Sequence, residues 1–144
     1  MAAAVGPGSF GPVEPADVEQ WFSAYLDTYA ACGRGEVEDL GRLLDHYAVP
    51  LLLSADAGVL SLTTEASVVA AARQQVEGLR AAGYDRSEVL ELAVEVLNAT
   101  TALLRGRFAR VRRDGSEIDR LRTAYLVVDG AEGRRIAALV VETG

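Results

Sequence analysis

Apolar residues recur at helical spacing through the first half of the chain and at every second position through the rest. Pro15 suits a first helical turn, with Asp17 and Glu19 near the positive end of the helix dipole. Val18, Trp21, Phe22, Tyr25 and Tyr29 then fall on one side of that helix, and Gly33 is its stop. A shorter second helix follows Gly35, with Val37, Leu40, Leu43, Leu44 and Tyr47 as its stripe and Pro50 at its end. Leu51-Leu52-Leu53 and Gly58 to Leu62 read as two short strands turning at Asp56-Ala57-Gly58. Thr63 or Thr64 caps a third helix whose face is Val68, Val69, Ala72, Val76 and Leu79, and Gly83 ends it.

From Ser87 the period changes to two. Leu90, Leu92, Val94 and Val96 share one face of a strand, with Glu91 and Glu95 on the other. A strand from about Ala102 to Arg112 puts Leu104 and Phe108 on one face and Arg105 and Arg107 on the opposite one, with a bulge or bend expected at Gly106. Asp114-Gly115 predicts a hairpin turn into a strand over Ile118 to Val128. Asp129-Gly130 and Gly133 mark the turn into a last strand, Ile136 to Val141.

The fold class is therefore α+β: three N-terminal helices with a short inserted β-hairpin, packed on a curved antiparallel four-strand meander. Such a sheet wrapped around amphipathic helices makes a cone-shaped roll with a cavity at its open end. Residues 1–14, rich in Gly, Pro and Ala, read as a flexible arm, and 15–144 as a single domain.

Composition narrows the chemistry. The chain has 144 residues, half of them hydrophobic, enough to bury a core without a disulfide or a structural metal. One cysteine (Cys32) and one histidine (His46) leave no ligands for an ordinary zinc cluster, so neither a metal nor a cofactor is expected. No apolar run approaches the roughly 20 residues of a membrane helix, and the N-terminus has no secretory pattern, so the expected location is cytoplasmic, with no membrane partner. The net charge is −7 and every basic residue is Arg. Residues 101–144 carry +3 against −10 for 1–100, and the excess gathers in Arg105, Arg107, Arg110, Arg112, Arg113, Arg120 and Arg122. A nucleic-acid reader could use this cluster on phosphates. Without a basic tail, and with an acidic chain overall, the solvated outer face of a sheet is preferred, and no nucleic-acid partner is expected.

The order of elements, with Trp21-Phe22-Ser23-Ala24-Tyr25, Gly35 to Leu40 and Leu43 to Pro50, resembles the nuclear-transport-factor-2-like superfamily over roughly residues 16–143. The absence of Lys suggests a high-GC genome, hence an actinobacterial branch of that superfamily. The resemblance extends to ketosteroid isomerase, scytalone dehydratase, limonene epoxide hydrolase and the SnoaL-like cyclases. It implies a cone pocket, and in many members pairing through the outer sheet face. By the resemblance, Tyr25 matches a tyrosine that donates to a developing oxyanion. The family's aspartate base falls where this chain reads Leu51-Leu52-Leu53, and a second aspartate falls at Thr123, which can donate a hydrogen bond but cannot abstract a proton.

Three readings follow. The first is a small-molecule-binding domain for an apolar molecule, its pocket lined by Trp21, Tyr25, Tyr29, Phe108, Thr123 and Tyr125. The second is an isomerase, dehydratase or cyclase acting on a polycyclic or polyketide-like substrate, with Asp45 or His46 as base and a tyrosine such as Tyr25 as oxyanion donor. The third is a non-catalytic interaction module, a homodimer through the outer sheet face. Tyrosine hydroxyls on an inward face need partners, which suits a cavity with a polar edge, although an aromatic stripe is more often plain core. His46 at a helix end is more simply a dipole partner than a base.

Overall fold

The computed structural model describes residues 12–143. Most of the expected arm, residues 1–11, lies outside the described residues; Val13, within the expected arm, is buried in the core. Helix α1 spans Pro15–Gly33 with Pro15 in its first turn and Asp17 near the N-terminal end. A 3-10 helix (Leu40–Asp45) leads into strands β1 (Tyr47–Ala55) and β2 (Gly58–Leu62). Helix α2 covers Glu65–Ala81, followed by β3 (Tyr84–Asn98), β4 (Thr101–Arg112), β5 (Glu117–Gly130) and β6 (Gly133–Glu142).

The six strands form one curled sheet in the order β2-β1-β6-β5-β4-β3. All neighbours are antiparallel except β1 and β6, which run parallel. The meander is the expected one. The hairpin is not a separate insertion, because β1 extends the meander's sheet by pairing Leu53 with Leu139 and Ser54 with Val140.

The second helix is shorter and tighter than its stripe predicts. Leu40 and Leu43 are buried three residues apart, a spacing that a 3-10 turn satisfies as well as an α-turn. Asp39 caps it by accepting from the Gly41 backbone N–H at 2.9 Å. Tyr47 is not on that helix but begins β1, opposite Ile136 of β6. Strand β1 also runs through Pro50, although its register with β6 shifts between Tyr47 and Leu52. Thr64 caps α2 in a reciprocal box with Ser67, each side chain accepting from the other's backbone N–H at 3.1 Å.

Both helices lie on one face of the sheet. Val18, Phe22 and Tyr25 of α1 and Val68, Ala72 and Val76 of α2 join Ala102, Leu104 and Phe108 of β4, Tyr125 and Val127 of β5 and Ile136 of β6 in one buried cluster. Phe22 is its hub, with ring centroids 5.4 Å from Tyr25, 6.0 Å from Phe108 and 4.8 Å from Tyr125. No register shift occurs at Gly106; the irregularity is on the neighbouring strand, between Val89 and Glu91, and it leaves Leu90 39% exposed rather than on the inner face. Gly106 is needed for another reason. A Cβ there would lie 2.3 Å from the Phe108 ring, which folds back over the glycine.

The even positions of β4 and the odd positions of β5 up to Val127 therefore face the helices. The opposite positions make the outer face, where Glu91, Arg107, Arg122 and Glu142 stand in one row across four strands. Arg107 is paired with Glu91 at 3.0 Å, and Arg105 approaches Glu142 at 3.7 Å.

Candidate functional site

The helices do not fill the inner face of the sheet. Between them and the strands lies a cavity of about 560 Å³. Tyr25 and Tyr29 enter it from α1, Val68, Ala72 and Gln75 from α2, and Phe108, Thr123, Tyr125 and Leu139 from the sheet floor. The β1–β2 hairpin closes one side with Leu53, Leu60 and Leu62. Val59 and Leu60 at that lip are 63% and 57% exposed, so the rim as well as the interior is apolar.

The polar groups in this setting are few. Tyr25 and Tyr47 share a buried hydroxyl–hydroxyl hydrogen bond of 2.7 Å. Whichever hydroxyl donates, the acceptor keeps a proton to offer elsewhere. The Thr123 hydroxyl is buried without a hydrogen-bond partner. It stands near enough to Tyr125 to ease that phenol's titration without closing a bond of normal geometry. Gln75 plays the same part beside Tyr29.

Burial governs the titration of all four cavity tyrosines. Desolvation of the phenolate pushes Tyr29 up to about 12, while nearby Arg110 pulls the other way. Tyr25, Tyr47 and Tyr125 are raised well above the ordinary tyrosine range, again chiefly by burial. Near neutral pH the cavity therefore presents neutral phenols, able to donate hydrogen bonds.

Arg110 is the one charged residue lining the cavity among the described residues. It sits on the inner face because β4 alternates, in the same register row as Ser87 and Asp119. Its side chain is only 17% exposed, and Asp119 at the rim accepts from its Nε at 2.7 Å and from its Nη2. That guanidinium holds the Asp119 carboxyl below the usual carboxylate range.

Of the residues expected from the sequence, Tyr25, Tyr29, Phe108, Thr123 and Tyr125 line the cavity. Trp21 does not; it is half-buried and meets the His46 ring edge-on at 5.4 Å. His46 lies between Trp21 and Tyr25, 5.5 Å from the latter, and is not in the cavity wall. Its Nδ1 is buried without a partner, and burial lowers its pKa, against a weaker pull from Asp45. Asp45 is exposed and also absent from the wall. Tyr47 and Arg110 are lining residues that the sequence reading misplaces. Helical periodicity places Tyr47 on a helix, and composition groups Arg110 with the outer arginines, although its even number, shared with Leu104 and Phe108, marks the inner face.

Among the described residues no group of three or more His, Cys, Asp or Glu is placed to hold a metal ion. No helix among them is long and apolar enough to cross a membrane.

This architecture is that of the nuclear-transport-factor-2-like proteins. A family model described as "NTF2-like protein (DUF6841)" matches residues 14–144, and the chain belongs to that family. Among solved structures, a protein of unknown function with a cystatin-like fold from Nostoc punctiforme is similar at a TM-score of 0.69 and 12% identity, over 92% of this chain and 96% of that one. Aln2 from a Streptomyces species is similar at a TM-score of 0.66 and 16% identity, covering 88% of each chain. A protein from Catenulispora acidiphila in complex with S-DNPA is similar at a TM-score of 0.62 and 13% identity, over 88% of this chain and 91% of that one. At these identities the likeness is one of fold. No curated protein matches the chain.

Proposed function

We propose that this protein is a small-molecule-binding domain whose ligand, a largely apolar molecule, occupies the cavity between the helices and the inner sheet face. The observation that carries the reading is the unfilled volume itself. About 560 Å³ lies within the roughly 300–1,000 Å³ range of ligand sites, in a class of molecule whose cores are otherwise close-packed. The wall is aliphatic and aromatic, with hydroxyls on Tyr25, Tyr29, Thr123 and Tyr125 to orient a guest. A relative in fold solved with S-DNPA is in keeping with this use.

Binding is favoured over base-catalysed isomerisation because the wall, among the described residues, offers donors but no carboxylate or imidazole. The test is fluorescence enhancement of N-phenyl-1-naphthylamine, an uncharged apolar dye. The wild type is expected to bind it, and Ala71→Trp, which projects an indole into the cavity from α2, to abolish binding while the protein stays folded. Equal binding by the two proteins would overturn the reading.

The proposal includes a cytoplasmic homodimer paired through the outer sheet face. Its support is the charged row Glu91, Arg107, Arg122, Glu142, on which a second copy related by a two-fold between β5 and β6 would set Arg122 of each copy against Glu142 of the other. Light scattering should give twice the chain mass; a monomer at micromolar concentration would contradict it.

A further inference from the structure

We propose that the cavity selects molecules that carry a carboxylate on an apolar body, with Arg110 as the anchor for that group. The inference rests on the small-molecule reading above and adds the ligand's chemistry to it. An arginine is costly to keep in an apolar wall, and this one is more than four-fifths covered. Asp119 uses Nε and Nη2 on one edge of the guanidinium, which leaves Nη1 without a hydrogen bond among the described residues. A guanidinium has five N–H donors in a planar fork matched to a carboxylate, so a second carboxylate can share it or replace the first.

The geometry fits replacement. Asp119 is 42% exposed at the rim and can swing to water without being stranded, whereas Arg110 cannot leave the wall as easily. Asp119 thus occupies the anchor until a ligand carboxylate arrives. The neighbouring phenols reinforce the preference. Tyr29 and Tyr125 lie within the field of Arg110 and stay protonated, so they add donors and no negative charge. The unpartnered Thr123 hydroxyl lies on the same strand face as Asp119, Leu121 and Tyr125. Arg110 donates only and each hydroxyl can donate, so a guest that brings acceptor oxygens meets several donors.

Fluorescence titration with 1-pyrenebutyric acid and its methyl ester tests this, because the pair differ mainly in charge. The wild type should bind the acid about tenfold more tightly than the ester, the scale of a charge-assisted hydrogen bond. Arg110→Met should erase that preference, the acid losing about tenfold more affinity than the ester. Asp119→Asn should enlarge the preference, because the resident competitor is gone. A merely structural Arg110–Asp119 pair would make Asp119→Asn neutral or harmful to acid binding. Equal affinity for acid and ester in the wild type, or a smaller preference in Asp119→Asn, would overturn the anchor while leaving the cavity reading intact. Failure of both compounds to bind would overturn the two together.

Discussion

The two faces of the same sheet solve opposite problems with the same strands. On the inner face, β4 and β5 contribute Leu104, Phe108, Thr123 and Tyr125, all buried, with the Arg110–Asp119 pair toward one end. On the outer face, one residue away along each strand, Arg105, Arg107 and Arg122 stand among Glu91 and Glu142. The inner side chains are arranged around a space, and the Thr123 hydroxyl among them is buried without a partner. The outer ones are arranged around water, and the Arg107–Glu91 pair is exposed. Chemistry that needs a desolvated guest belongs to the first face, and solubility or pairing to the second. Single-residue alternation is what separates them.

The contrast should appear first in stability. Phe22→Ala removes the ring that touches Tyr25, Phe108 and Tyr125 and should cost about 3–5 kcal/mol in urea unfolding. A cost below about 1 kcal/mol would mean that the inner cluster is loosely packed. Tyr25→Phe leaves packing nearly intact but deletes the hydrogen bond to Tyr47, for an expected loss of about 1 kcal/mol. On the outer face, Arg107→Gln removes an exposed pair with Glu91 and also relieves Arg107 of standing opposite Arg122. Its net effect should lie within about 0.5 kcal/mol of zero, and should shrink further in salt. A larger loss from Arg107→Gln than from Tyr25→Phe would invert the ranking of the two faces.

Much of this division is legible in the sequence. Alternation in 101–128 separates Leu104 and Phe108 from Arg105 and Arg107, and the turns at Asp114-Gly115 and Gly133 fall where the hairpins are. What escapes depends on contacts distant in sequence. Tyr47 continues a helical stripe locally, but its place is decided by pairing with Ile136 at the far end of the chain. The bulge that turns Leu90 outward leaves no compositional mark. Trp21 shares a helix face with Tyr25 in a period count, yet it turns to His46, and only the packing of the chain after the 3-10 helix decides that. Arg110 is the avoidable miss, since counting parity from Phe108 places it inside.

The central claim is that small molecules enter the inner face and leave the outer one untouched. The most direct measurement is NMR of the tyrosine ring and arginine Nε–H signals during titration with N-phenyl-1-naphthylamine. The account predicts saturable shifts at Tyr25, Tyr29 and Tyr125, with Arg105, Arg107 and Arg122 unmoved. Shifts confined to the outer arginines, or no saturable shift at the tyrosines, would contradict it.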